Sequence, residues 1–196
     1  MRLLAATGIT LVGIMLLGAA ASAVEVPVPA FLGPMSFSLP MALLLPLIPV
    51  GLLLHGQGRG DTAGELVSVR SPAKWDAAAM LVLVAVAATV GLVAAKAYDV
   101  PMGIAMGRNF AGYLGLALLI RRLAGPAAST TLVCVFPFVC TSFGVAGWGR
   151  PRFWAWPLHD AGSTLAPAAA FVLLSAGLAV SARGVTGPRR AASRPA

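Results

Sequence analysis

The chain has 196 residues, 59% of them hydrophobic and only 10% charged, with a formal net charge of +8; its mean hydropathy is +0.90. A soluble domain carries about 25% charged residues, so this composition excludes a water-exposed globular fold and, with it, reading the positive charge as a nucleic-acid footprint. The basic residues are expected instead in loops flanking membrane spans, where Lys and Arg set orientation.

Six apolar runs follow in chain order, at residues 3–23, 39–54, 77–95, 102–120, 127–148 and 165–182. Each is long enough, or nearly so, to cross a hydrocarbon core of about 30 Å as a helix. Helices are required because backbone groups facing lipid must be satisfied within their own segment. The expected fold is an all-α membrane protein, a bundle of about six transmembrane helices with the N and C termini cytoplasmic. A cytoplasmic loop at 55–75 and a polar tail at 183–196 complete it, leaving no room for a separate catalytic or ATP-binding domain.

The first run follows Arg2 and ends in Ala21-Ser22-Ala23, the shape of a secretory signal cleaved before Val24. Its apolar stretch of about 20 residues exceeds the usual signal core of 7–15, which favours a retained helix over a cleaved signal. Pro40, Pro46 and Pro49 should kink or loosen the second run. Ser71-Pro72 puts a cap before a proline at the first helical position. The third span should therefore begin near Pro72 and carry Trp75 at the membrane interface. Gly125-Pro126 closes the fourth span and opens the fifth, which Pro137 should kink or loosen. Cys134 and Cys140, six apart on a helix, fall on different faces; they read as buried free thiols rather than a metal site or disulfide framework.

With the N-terminus inside, the cytoplasmic segments hold Arg2, Arg59, Arg70, Lys74, Arg121, Arg122, Arg183, Arg189, Arg190 and Arg194. The outer segments hold Lys96, Arg108, Arg150 and Arg152. The bias has the sense expected of a multi-pass protein of the plasma membrane. Arg outnumbers Lys twelve to two, a composition resembling the coding bias of a GC-rich bacterium, which points to a bacterial inner membrane.

Within the loop at 55–75, Thr62-x-x-Glu65 fits a capping box. Ala63, Leu66, Val67 and Arg70 follow at helical spacing. A short amphipathic helix here would lie on the membrane face or dock in a partner's groove; an ordinary solvated loop is the alternative. The stretch Asp61-Thr62-Ala63-Gly64-Glu65-Leu66-Val67-Ser68-Val69-Arg70-Ser71-Pro72-Ala73-Lys74, set between the second and third of six spans, resembles the permease subunits of type-2 ABC transporters. In that family a cytoplasmic helix at this place couples the membrane subunit to a separate ATPase. The resemblance implies that Glu65 and Arg70 face an ATP-binding cassette partner and that Leu66 and Val67 fill its groove. A longer polar outer segment before the last span, at 149–162, also fits. The chain lacks the longer N-terminal cytoplasmic helix of the family.

The outer segment from Trp148 to Asp160 interleaves aromatic and basic residues. It could bind an anionic headgroup or substrate, or serve as an interfacial belt with snorkelling arginines. His159-Asp160 is a candidate proton-handling pair or a cap for the last helix. Arg108 lies within the fourth span, an intramembrane charge being a functional candidate by default. Near the outer end it could also snorkel and pair with Asp99 or Asn109. Small residues at Gly107, Ala111 and Gly115, and at Ala87, Gly91 and Ala95, allow close helix approach, within the bundle or against a second copy. The sequence has no ATP-binding P-loop, no Gly-x-Ser-x-Gly elbow and no His-Glu-x-x-His motif. The expected function is a permease-type subunit of an ABC exporter, itself without catalytic residues or cofactor. The alternative is a non-transporting assembly or regulatory subunit docked on another membrane protein as a homo- or hetero-oligomer.

Overall fold

A computed structural model describes residues 2–21, 24–28, 37–58, 72–146 and 149–182. Among these the chain runs α1 (Arg2–Ala20), β1 (Glu25–Val28), β2 (Phe37–Pro40), α2 (Met41–Leu44), α3 (Leu47–Gly58), α4 (Pro72–Ala97), α5 (Met102–Phe143) and α6 (Leu165–Ala182), with a short 3-10 turn at Trp156–Leu158 before α6. The architecture is a helical bundle. Three helices are long and apolar enough to cross a membrane, at Trp75–Ala97, Met102–Phe143 and Leu165–Ala182, and shorter apolar helices lie at Thr7–Ala20 and Met41–Gly56. Their outward faces are apolar too: Leu81, Val82, Leu92 and Val93 on α4 and Phe171 and Val172 on α6 are all exposed. So much exposed apolar surface suits lipid rather than water.

The 42-residue α5 is two helices folded back on each other. Gly125 has φ 87° and ψ 174°, a region open to glycine and strained for other residues. The Ser129 hydroxyl donates to the Ala117 carbonyl at 2.6 Å. On a straight helix those residues would stand about 18 Å apart, so the chain must reverse at Gly125-Pro126. The arms span 102–124 and 126–143.

The first arm is the hub of the bundle, buried almost all round from Gly103 to Leu118. Small residues let its neighbours approach to backbone contact. A Cβ at Gly103 would lie 2.6 Å from the Gly91 carbonyl of α4, and one at Gly107 would lie 3.0 Å from that of Ala87. On the opposite side Gly115 abuts the Leu174 backbone of α6, and Gly177 faces Gly115 and Leu118. The two small-residue stripes are thus filled from within the bundle, with Ala94 rather than Ala95 buried at the contact. Arm and α4 run antiparallel; arm and α6 run parallel. The N-terminal helix packs against the same core through Leu11, Ile14 and Met15, while Gly18 meets Met106 and Leu45.

Several sequence expectations change. An antiparallel hairpin, Val26 opposite Leu39, replaces coil and the start of the second run; Leu39 is fully buried beside Leu43 and Ala105. The second run is interrupted at Leu45-Pro46, between α2 and α3, as expected of its prolines. Pro137 lies inside α5, which continues to Phe143. No dihedral there leaves the helical region, and the Thr141 hydroxyl caps the Pro137 carbonyl at 3.2 Å. The fifth run stops at Phe143, and the chain then turns through a Val145–Pro151 bridge. Cys140 is buried but Cys134 is exposed, because only one of the two faces they occupy meets the core. As expected, helix begins at Pro72; Trp75 is 64% exposed near that end of α4.

The hairpin β1–β2, the turn at 98–101 and the segment 144–164 gather at one end of the bundle, called here the β end. The Gly125 turn lies at the other.

Candidate functional site at the β end of the bundle

The polar side chains that the apolar sequence sets inside the bundle converge on one segment. Arg108 is only 8% exposed. Its Nη1 donates to the Asp160 carbonyl at 2.7 Å, Nη2 donates to the His159 carbonyl, and Nε reaches Asn109 Oδ1 at 3.4 Å. Asn109, fully buried, donates from Nδ2 to the Pro157 carbonyl at 3.2 Å. Two adjacent residues of α5 therefore hold three carbonyls of the segment leading into α6. A guanidinium sunk among apolar helices is costly unless its donors are satisfied. Here main-chain oxygens satisfy it, in the fork geometry that arginine offers and lysine does not.

One turn further along the arm, the same face receives Trp156. Gly112 makes room for it, since a Cβ there would overlap the indole ring. Trp156 packs on Tyr113 at 5.3 Å between ring centroids, tilted by 51°, and on Phe136 of the second arm at 6.1 Å. The Tyr113 hydroxyl donates to the Leu43 carbonyl of α2 at 3.3 Å. Arg108, Asn109, Gly112 and Tyr113 thus form a latch that closes the β end, with Trp156 as its plug.

Beyond the latch, His159 Nε2 donates to the Arg152 carbonyl at 3.2 Å and Ser163 Oγ lies 3.5 Å from Nδ1. His159 and Asp160 thus serve through their carbonyls as acceptors for Arg108, and the His159 ring braces the preceding loop. Asp99 is exposed at the turn between α4 and α5 with φ 54°, a left-handed conformation aspartate tolerates. There the Ala94 carbonyl accepts from the amides of Tyr98 and Val100. Of the two partners considered for Arg108, the structure supplies Asn109. A cleft of about 460 Å³ flanks the latch, lined by Ser38, Leu43, Met102, Ala105, His159 and Asp160 among others.

Glu65, Leu66, Val67 and Arg70 lie outside the described residues. Among the described residues, no group of three or more His, Cys, Asp or Glu side chains could hold a metal ion. Sequence reasoning singled out Arg108 and the segment that holds Trp156, but not Gly112 or Tyr113, nor that Trp156 packs inside the bundle. The adjacent polar pair Arg108-Asn109 inside an apolar run was the available signal; its partners are main-chain carbonyls some 50 residues away, which no residue pattern announces. No family model, no curated protein and no solved structure matches the chain.

Proposed function

We propose that the chain crosses the plasma membrane six times with both termini in the cytoplasm, and that it is the permease-type subunit of an ABC exporter whose ATP is hydrolysed on a separate chain. The observation that supports the six-crossing part of this reading is the reversal of α5 at Gly125; the exporter part rests on the resemblance carried by residues 61–74. The reversal converts one long apolar helix into two membrane-length arms of about 34 and 27 Å. With α1, the α2–α3 pair, α4 and α6 that makes six crossings. The same count puts the β end outside and the Gly125 turn, with Arg121 and Arg122 just before it, on the side of the 59–71 connection. That is the side the basic residues favour.

On this reading Glu65, Leu66, Val67 and Arg70 meet the ATPase. The alternative, an assembly subunit docked through small-residue stripes, loses support because Gly91, Gly107 and Gly115 are covered from inside the bundle. Tagged protein purified in mild detergent should bring down an ATP-binding cassette chain, and E65R/R70E should weaken that association. A preparation with no such partner and no nucleotide-stimulated transport would overturn the proposal.

A further inference from the structure

The loop that follows α5 carries a surface the latch does not use. The Arg152 amide donates to the Gly144 carbonyl at 2.7 Å and the Ala146 amide to that of Arg150 at 2.8 Å, closing a tight turn around the Val145–Pro151 bridge. The Arg152 carbonyl accepts from the Ala155 amide at 2.9 Å and from His159 Nε2 at 3.2 Å. The backbone at Arg150 and Arg152 is therefore held, yet their side chains are not engaged. Arg150 and Arg152 are exposed, and neither guanidinium has a hydrogen-bond or ion-pair partner among the described residues. Between them and the half-buried Trp154 stands Phe153, 76% exposed and outside any helix.

We propose that Arg150, Arg152 and Phe153 form a docking surface for the headgroups of anionic phospholipids. Position selects a lipid over a soluble ligand. The exposed apolar face of the second arm, Val135, Phe138, Val139 and Phe143, runs to the last residue of α5, and the turn begins at the next. The two arginines thus stand where a lipid-facing surface ends, at headgroup depth. Charge agrees with position: two free cations beside an apolar ring match a phosphate above the start of an acyl chain. The described acids at this end, Glu25, Asp99 and Asp160, are exposed, and none of them forms an ion pair with Arg150 or Arg152. The assignment needs only that the bundle sits in a bilayer, so it survives failure of the transport reading.

The test uses the full chain in phosphatidylcholine vesicles, with spin-labelled phosphatidylglycerol or spin-labelled phosphatidylcholine added in trace. The fraction of label immobilised at the protein gives the headgroup preference. Each basic residue near an anionic surface contributes about a fivefold preference. R150Q/R152Q should therefore lower the preference for phosphatidylglycerol measurably, and R150K/R152K should keep most of it. The difference should shrink as salt rises. F153S should weaken retention of both lipids alike. Circular dichroism melting confirms that these exposed changes leave the bundle folded. A double variant with unchanged headgroup preference would overturn the assignment and leave the patch to an outer protein partner or to water.

Discussion

Replacing Arg108 by Gln tests whether the latch holds the β end closed. The wild-type side chain makes two charge-assisted hydrogen bonds to the carbonyls of His159 and Asp160. Bonds to charged groups contribute about 1.5–3 kcal/mol each. The shorter amide of Gln can restore one neutral bond at most, so the net loss is about 3 kcal/mol. This loss is local, because the bonded segment is a loop and not a core helix. Opening of that loop should become roughly a hundredfold more frequent, since each 1.4 kcal/mol is about a factor of ten. Hydrogen exchange on protein in lipid nanodiscs reads this directly at the amides of Leu158, His159 and Ser163, which donate to Ala155, Trp156 and Asp160. Protection at these amides should collapse while α4 and α6 keep theirs. Unchanged protection would show that Arg108 is not the latch; an equal loss along α4 and α6 would show that it supports the whole bundle instead.

Gly112→Val should expel Trp156 from its seat on Tyr113, costing about 1–3 kcal/mol as an overpacked core position; a red shift of tryptophan emission and loss of near-UV dichroism report it. Gly125→Ala places a side chain at φ 87° and ψ 174°, a region essentially reserved for glycine, and should cost about 1–3 kcal/mol. Ser129→Ala, which removes the bond to Ala117, should cost about 1 kcal/mol; melting curves in detergent compare the two with wild type. Reporters fused after residue 70 and after residue 162 should be active on opposite sides of the membrane, inside and outside respectively. Both on one side would dismantle the six-crossing arrangement.

What the sequence displayed well was set by local chemistry. The helix start at Pro72, the reversal at Gly125-Pro126 and the run 165–182 follow from residues whose backbone limits act where they stand. Composition alone sufficed for the bundle, because an apolar chain in lipid has few ways to satisfy its backbone. The same constraint bears on Pro137, which stays inside the helix. A soluble helix can fray at proline into water, whereas here the helix continues through Pro137 to Phe143. The β1–β2 hairpin was missed for the opposite reason. Its alternation, Val26 and Val28 against Phe37 and Leu39, covers four residues a side and is interrupted by Pro27 and Pro40. Only burial of Leu39 against Leu43 and Ala105 makes it worth forming. Arg108 was visible as an anomaly, but its role depends on three carbonyls brought close by the tertiary fold.

These features meet in the first arm of α5. Its contacts with α4 at Gly103 and Gly107 and with α6 at Gly115 are backbone to backbone. Such contacts leave no soft side-chain layer in which one helix could slide past another, and close-packed interiors transmit displacement rather than absorb it. The α4 helix begins at Pro72, at the end of the 59–71 connection proposed to meet the ATPase, and touches the arm at Gly103, five residues before Arg108. A displacement imposed at that connection would therefore arrive, through one rigid helix and one glycine contact, at the residue that clasps the β end. Under the transport reading the latch would be the part of the molecule where movement at one face becomes opening at the other. If α4 and the arm moved independently, the backbone contact at Gly91 and Gly103 would have to break first.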